Sequence, residues 1–194
     1  MKLFSKTEVR DRLKGLLPQL ADRSELEFSI LRKLLSILEG KQNIIAYAPD
    51  PRYEVDILPV IESSALPRPT SFLEIRHSAR WFFPKIDKNK SLQFLRPFEF
   101  QKNEWGLFEP IGDENILPED ADLILIPALG YNEKGFRLGR GGGYYDRVLN
   151  SEKVQKKCIG FSFSKFFPVP FGEEGHDRKV GKIITENGIH SFFD

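Results

Sequence analysis

Apolar positions along the chain alternate between helical and strand-like spacing. Residues 5–17 carry Val9, Leu13, Leu16 and Leu17 on one helical face, with Ser5 as N-cap and Glu8 three residues on, a capping-box spacing. Pro18 closes that helix. A second predicted helix opens at Ser24-Glu25-Leu26-Glu27 with the same box, runs through Leu26, Ile30, Leu31, Leu34, Leu35 and Leu38, and stops at Gly40. Residues 43–48 read as a strand ended by Pro49 and Pro51. Residues 71–80 suggest a helix, and residues 81–84 and 91–95 two strands separated by a solvated basic loop at 85–90. The run Leu123-Ile124-Leu125-Ile126, closed by Pro127, is short and wholly apolar, as in a strand buried on both faces. Residues 144–149 have helical spacing, residues 157–163 are strand-like, and residues 166–170 form a rigid apolar connection. Helices alternating with buried strands predict an α/β fold.

Composition narrows the class. A chain of 194 residues, 40% hydrophobic and 29% charged, suits one soluble globular domain spanning 1–194. Lys plus Arg total 29 against 28 acids, so the net charge of +1 gives no general case for nucleic acid or an anionic membrane. The single cysteine, Cys158, excludes an internal disulfide and a cysteine-based zinc cluster, and its apolar neighbours place it in a buried strand. No apolar stretch approaches a membrane span and the N-terminus lacks a signal-peptide core, so a cytoplasmic protein is expected. Seventeen Phe point to a core, and a pocket, rich in flat rings.

The chemistry concentrates after the apolar run. Gly135-Phe136-Arg137-Leu138-Gly139-Arg140-Gly141-Gly142-Gly143 leads into Tyr144-Tyr145-Asp146. Strand, glycine loop and helix together present backbone N–H groups and a helix N-terminus to an anion. Four glycines in the five positions 139–143 sacrifice chain entropy of roughly 2–4 kcal/mol, which suggests close approach of backbone to a ligand. Arg137 and Arg140 can fork onto phosphate or carboxylate oxygens, and Asp146 can hold a hard cation such as Mg²⁺ against them. The P-loop, dinucleotide and kinase signatures are all broken here. A flexible hairpin, or an Arg/Gly/Tyr patch that binds RNA loosely, is the alternative.

The stretch Arg137-Leu138-Gly139-Arg140-Gly141-Gly142-Gly143-Tyr144-Tyr145-Asp146, after a strand ending in Pro127, resembles the nucleotide loop of the 5-formyltetrahydrofolate cyclo-ligase (methenyltetrahydrofolate synthetase) family. That resemblance implies ATP contacts from these loop residues through Tyr145, joined by Lys6 and Arg10, which are four apart and share a helical face. It places Arg140, Gly141, Gly142, Gly143 and Tyr144 against folate as well, with Arg140 and Tyr144 at the reacting centre. Glu54 matches a glutamate that binds the pterin, and a carboxylate can accept paired N–H bonds from its amino-pyrimidine edge. Trp105 matches an aromatic residue beside the folate, while Glu109 reads as a structural acceptor. Asp146 and Asp177 match the pair that holds Mg²⁺. Two positions depart from the family pattern, Ile57 in place of a threonine and Gly181 in place of an aspartate.

The fold implied is a three-layer α/β/α sandwich with a mostly parallel, Rossmann-like sheet, as in phosphosugar isomerases and CoA transferases. The reaction implied converts 5-formyltetrahydrofolate and ATP to 5,10-methenyltetrahydrofolate, ADP and phosphate in a monomer with small-molecule partners, without nucleic acid or membrane. A phosphosugar isomerase-like enzyme and a non-catalytic RNA-binding module are the competing readings.

Overall fold

The computed structural model describes residues 3–65, 79–89, 91–104 and 106–193. Helix α1 (Lys6–Leu16) starts at the expected box: Glu8 N–H donates to Ser5 Oγ at 3.2 Å, and Ser5 N–H donates to Glu8 Oε2 at 2.8 Å. Val9 and Leu13 are buried as expected, but Leu16 is 40% exposed. The second box does not form. Helix α2 (Arg23–Leu38) has Asp22 as N-cap, at φ 54° and with no side-chain cap bond. Ser24 therefore lies inside the helix. Glu27 is engaged elsewhere, accepting from Arg23 Nε at 2.9 Å and from the Asp56 N–H at 3.2 Å. Arg23 also donates to the carbonyls of Arg52 and Glu54, at 3.1 and 2.5 Å. Tertiary partners outcompete the local cap, and they tie α2 to the segment that carries Glu54.

The remaining elements, in chain order, are β1 (Asn43–Ile45), α3 (Leu58–Ala65), β2 (Arg80–Ile86), β3 (Leu92–Leu95), β4 (Glu99–Lys102), β5 (Phe108–Ile111), β6 (Asn115–Ile116), β7 (Leu123–Ile126), β8 (Gly130–Tyr131), β9 (Arg137–Leu138), α4 (Tyr144–Val148), α5 (Glu152–Lys156), β10 (Cys158–Phe161), β11 (Lys182–Thr185) and β12 (Gly188–Ser191). Among the described residues, eight strands form one sheet in the order β12-β11-β10-β7-β1-β2-β3-β6. Neighbours from β11 to β2 pair in parallel, whereas β12 pairs antiparallel with β11, β3 with β2 and β6 with β3.

Period-two alternation sends successive strand residues to opposite faces. Ile44, Trp81, Phe83, Leu123, Leu125, Ile159 and Phe161 pack with Val9 and Leu13 of α1, Ile30 and Leu34 of α2, and Val60 of α3. Ile45, Phe82, Ile124, Ile126, Cys158 and Ile183 pack with Tyr145 and Val148 of α4 and Val154 of α5. Two cores, one on each face, make the three-layer α/β/α sandwich with its mostly parallel sheet. All four residues of β7 are buried, and so is Cys158.

Three expectations change in detail. The predicted helix at 71–80 lies mostly outside the described residues, and Arg80 begins β2. Strand β2 continues through Lys85 and Ile86, which pair with Gln93 and Leu92 of β3, so the basic loop is shorter than its charge suggested. Between β7 and the glycine loop, an antiparallel hairpin of β8 and β9 pairs Gly130 with Leu138 and Tyr131 with Arg137.

Candidate active site

The site forms where several connections leave the carboxyl ends of parallel strands, the usual ligand position of an α/β sheet. The chain after β1 carries Tyr47, Ala48 and Glu54, and the chain after β7 carries Pro127 and the glycine loop; both line a cavity of about 990 Å³. A bridge between Phe4 and Phe171, with the Phe4 N–H donating to Pro170 O at 2.9 Å, seats the start of α1 beside the 174–177 loop. Lys6, Arg10, Glu54, Arg137, Gly139, Arg140, Gly141, Gly142, Gly143, Tyr144, Tyr145, Asp146 and Asp177 all line this cavity. The structure thus brings together residues up to 171 positions apart, the separation of Lys6 from Asp177.

Each cation in the cavity is held by an oxygen. Lys6 Nζ donates to both Asp177 carboxylate oxygens, at 2.8 and 2.6 Å, and lies 3.2 Å from Glu174 Oε1. Arg10 Nε donates to the Gly139 carbonyl at 2.8 Å, which fastens the glycine loop to α1. Arg137 is buried, donates to Asp146 Oδ2 at 3.1 Å, and stacks 5.2 Å from the centre of the Tyr145 ring. Among the described residues, Arg137 Nε, the Tyr145 hydroxyl and Asp146 Oδ1 are buried without a hydrogen-bond partner. Buried polar atoms ordinarily have partners, so these three are set for a ligand, a cation or ordered water.

Packing explains two of the glycines. A Cβ on Gly139 would stand 2.2 Å from Arg137 Nη1, and one on Gly142 would stand 2.6 Å from the Tyr144 ring. Gly141 and Gly143 adopt φ of 108° and 63°, a region that ordinary residues avoid. Helix α4 is 5 residues long and starts from Gly143 at the end of the loop.

Glu54 and Arg140 meet at the other end of the loop. Arg140 donates to Glu54 Oε1 from Nη2 at 3.1 Å and from Nε at 3.3 Å. Glu54 Oε2 accepts from the Asp50 N–H at 2.8 Å. Burial pushes the Glu54 carboxyl above the usual carboxylate range, and Arg140 pulls the other way. Asp50, also buried, lies 3.1 Å from Arg140 Nη2, and hydrogen bonds from Arg52 hold its carboxyl below the usual range. The acid on Glu54 is thus the more easily protonated of the two.

Some expectations need correction. The Leu138 side chain is fully buried in the core, and its carbonyl accepts from the Leu129 N–H at 2.9 Å, so it does not line the cavity. Its place in β9 turns it inward while Arg137 turns toward Asp146. Trp105 lies outside the described residues. Glu109 accepts from Asn103 Nδ2 at 3.0 Å, as a structural acceptor would, although both residues also line the cavity. Ile57 is a core residue with no exposure. At Gly181 a Cβ would stand 2.5 Å from the Lys156 carbonyl, so this backbone leaves no space for an aspartate.

The sequence reading missed Asp50, His176 and an apolar part of the cavity formed by Pro84, Ile86, Leu92, Leu107 and Phe108. Asp50 stands between two strand-ending prolines, a signal of a turn but not of an ion pair. The apolar residues look like ordinary strand residues and carry no local signal at all.

Comparison with known proteins gives a consistent picture. A sequence model of the 5-formyltetrahydrofolate cyclo-ligase family matches residues 4–186. The chain is 27% identical over 193 residues to the 5-formyltetrahydrofolate cyclo-ligase of Haemophilus influenzae, covering 97% of this chain and 93% of that protein. It is 30% identical over 168 residues to the one of Mycoplasma pneumoniae, covering 85% of this chain and 87% of that protein. Among solved structures, the Aquifex aeolicus 5,10-methenyltetrahydrofolate synthetase superposes with a TM-score of 0.77 at 25% identity, covering 97% of this chain and 93% of that one.

Proposed function

The chain belongs to the 5-formyltetrahydrofolate cyclo-ligase family, and we propose that its cavity performs the ATP-dependent ring closure of 5-formyltetrahydrofolate to 5,10-methenyltetrahydrofolate. The observation that carries this reading is the convergence of Lys6, Arg10, Arg137, Arg140 and the glycine loop with Glu54 in one cavity. Four cations and a glycine cradle suit a triphosphate, and a buried carboxylate suits the N–H edge of a pterin.

The formyl oxygen of the substrate attacks the γ-phosphorus of ATP, and ADP leaves with the electrons of the broken P–O bond. Nitrogen-10 then attacks the formyl carbon, loses its proton, and phosphate departs with the former formyl oxygen. A formamide oxygen leaves poorly by itself and well as phosphate. Such a reaction needs positioning and charge neutralisation more than a protein nucleophile. In this reading Lys6, Arg10 and Arg137 neutralise the phosphates. Arg140 and Tyr144 stand where nucleotide and folate meet, and Glu54 orients the pterin. Residues 1–194 act as one domain in this reading, with the cavity walled by helix α1, the connections of the large sheet and the β4–β5 hairpin.

The donor set also suits Mg²⁺ at Asp146, whose Oδ1 is buried and unpartnered. Asp177 accepts from Lys6 through both oxygens and from the Glu174 N–H through Oδ2 at 2.6 Å, so its Oδ1 would be open to a cation once Lys6 turned to phosphate. Mg²⁺ held by Asp146 and Asp177 would neutralise charge on the phosphates.

The competing readings fit less well. An RNA-binding module would expose its cations, whereas Lys6 and Arg137 are largely buried and paired with acids. A phosphosugar isomerase would not need ATP. Mixing the protein with 5-formyltetrahydrofolate and MgATP tests the proposal, with the methenyl product followed by its absorbance. Product that requires both ATP and Mg²⁺ is expected, and no product with ATP still bound would assign the cavity to another substrate.

A further inference from the structure

Arg140 faces two buried carboxylates, and the reaction described above uses only Glu54. We propose that Asp50 is a positioning residue that keeps the Arg140 guanidinium at the junction of the nucleotide and folate sides when Glu54 turns to substrate. The inference rests on the reading of Glu54 as the folate acceptor.

Three observations support it. Arg140 Nη2 is equidistant, at 3.1 Å, from Asp50 Oδ2 and Glu54 Oε1, so one nitrogen is shared by two acids. Asp50 also closes the turn that presents Glu54: its N–H donates to Glu54 Oε2 at 2.8 Å, and its carbonyl accepts from the N–H groups of Tyr53 at 3.0 Å and Glu54 at 2.9 Å. Finally, Asp50 is anchored independently of any ligand, because Arg52 donates to its Oδ1 from the backbone N–H at 3.1 Å and from Nε at 2.9 Å, and to its Oδ2 from Nη2 at 2.9 Å.

The two acids are therefore unequal. Asp50 is fixed by Arg52 and stays ionised; Glu54 lines the cavity and is the one that can change partner. With Asp50 present, Arg140 keeps a buried anion while Glu54 accepts N–H bonds from the pterin. Without that charge, Glu54 is the only acid left to Arg140 among the described residues, and the substrate has to compete with the arginine for it.

The test is Asp50→Asn, which preserves size and the backbone N–H to Glu54 while removing the charge. Binding of 5-formyltetrahydrofolate is measured calorimetrically with Mg²⁺ and a non-hydrolysable ATP analogue, alongside kcat and both KM values. The dissociation constant and KM for folate are expected to rise about tenfold, as for loss of a charged contact. The affinity for the ATP analogue stays within about twofold of wild type, and Asp50→Glu restores part of the folate affinity. In an Arg140→Gln background, Asp50→Asn adds nothing further, because the effect runs through the arginine. An unchanged folate constant in Asp50→Asn overturns the inference, as does an undiminished loss in the Arg140→Gln background, which would place the effect in the turn. Failure of the wild type to bind 5-formyltetrahydrofolate would overturn the functional reading itself, and the wild-type titration separates that outcome from the others.

Discussion

One part of the cavity is charged and joins a contiguous glycine loop to groups from distant ends of the chain, whereas another part is apolar and comes from successive strands within residues 84–108. The charged part is the 137–146 loop with Lys6 and Arg10, and its members hold one another through Lys6–Asp177, Arg137–Asp146 and Arg10–Gly139 contacts. The apolar part is Pro84 and Ile86 of β2, Leu92 of β3, and Leu107 and Phe108 of the β4–β5 hairpin. Phosphate needs donors at fixed angles, which a short stretch of backbone can supply. Beyond the polar edge that Glu54 serves, a flat ring system needs area and shape, which apolar side chains can supply once the sheet has brought them together. We propose that the difference divides recognition in the same way: nucleotide binding by the motif, and area for the flat folate rings from the paired strands.

The comparison is sharpened most by Arg140→Ala. Removing a preorganised donor from the meeting point of the two substrates is expected to lower kcat/KM by about 10²–10³-fold. The melting temperature also falls, because the buried Asp50 and Glu54 carboxylates lose the cation they share. Unchanged turnover would remove Arg140 from the mechanism.

Glu54→Gln comes next, with the folate KM raised about 10–100-fold and the ATP KM nearly constant, as for a lost hydrogen bond to a charged group. Its stability effect has a definite sign. Burial raises the Glu54 carboxyl above 4.5 in the folded state, so the folded protein binds this proton more tightly than the unfolded chain. Stability contributed by Glu54 is then lost as pH rises through its folded value. The melting temperature of Glu54→Gln minus that of wild type should therefore increase from about pH 4.5 upward. A difference that falls with pH would mean that the ion pair with Arg140 outweighs burial.

Phe108→Ala tests the apolar part directly. The loss of one ring contact is expected to raise the folate KM by about 2–10-fold while leaving the affinity for ATP alone. An equal effect on both substrates would break the division of the cavity proposed here. The smallest effect belongs to Ser5→Ala, which removes the cap of the helix carrying Lys6 and Arg10. About 1 kcal/mol of stability should be lost in denaturant unfolding, with turnover close to wild type.

Much of the fold was legible because its signals are local. The Ser5–Glu8 box, the apolar run 123–126 and the spacing of Leu26, Ile30, Leu34 and Leu38 each specify an element from neighbouring residues alone. The second box at Ser24–Glu27 had the same spacing and failed, because Glu27 found Arg23 and the Asp56 N–H instead. A local pattern says which bonds a side chain can make, and the tertiary structure decides which partner wins.

The same division runs through the site. By itself the sequence determined the donors of the glycine loop, the shared face of Lys6 and Arg10, and the residue types fit for phosphate and cation, since these depend on contiguous backbone and fixed helical spacing. Only the tertiary structure decided that Leu138 turns into the core, that Asp50 stands behind Arg140, and that β2, β3 and the β4–β5 hairpin supply apolar surface to the cavity. Those outcomes rest on strand pairing and on the meeting of groups tens of residues apart, and the spacing of residues along one segment carries no record of what another segment will bring to it.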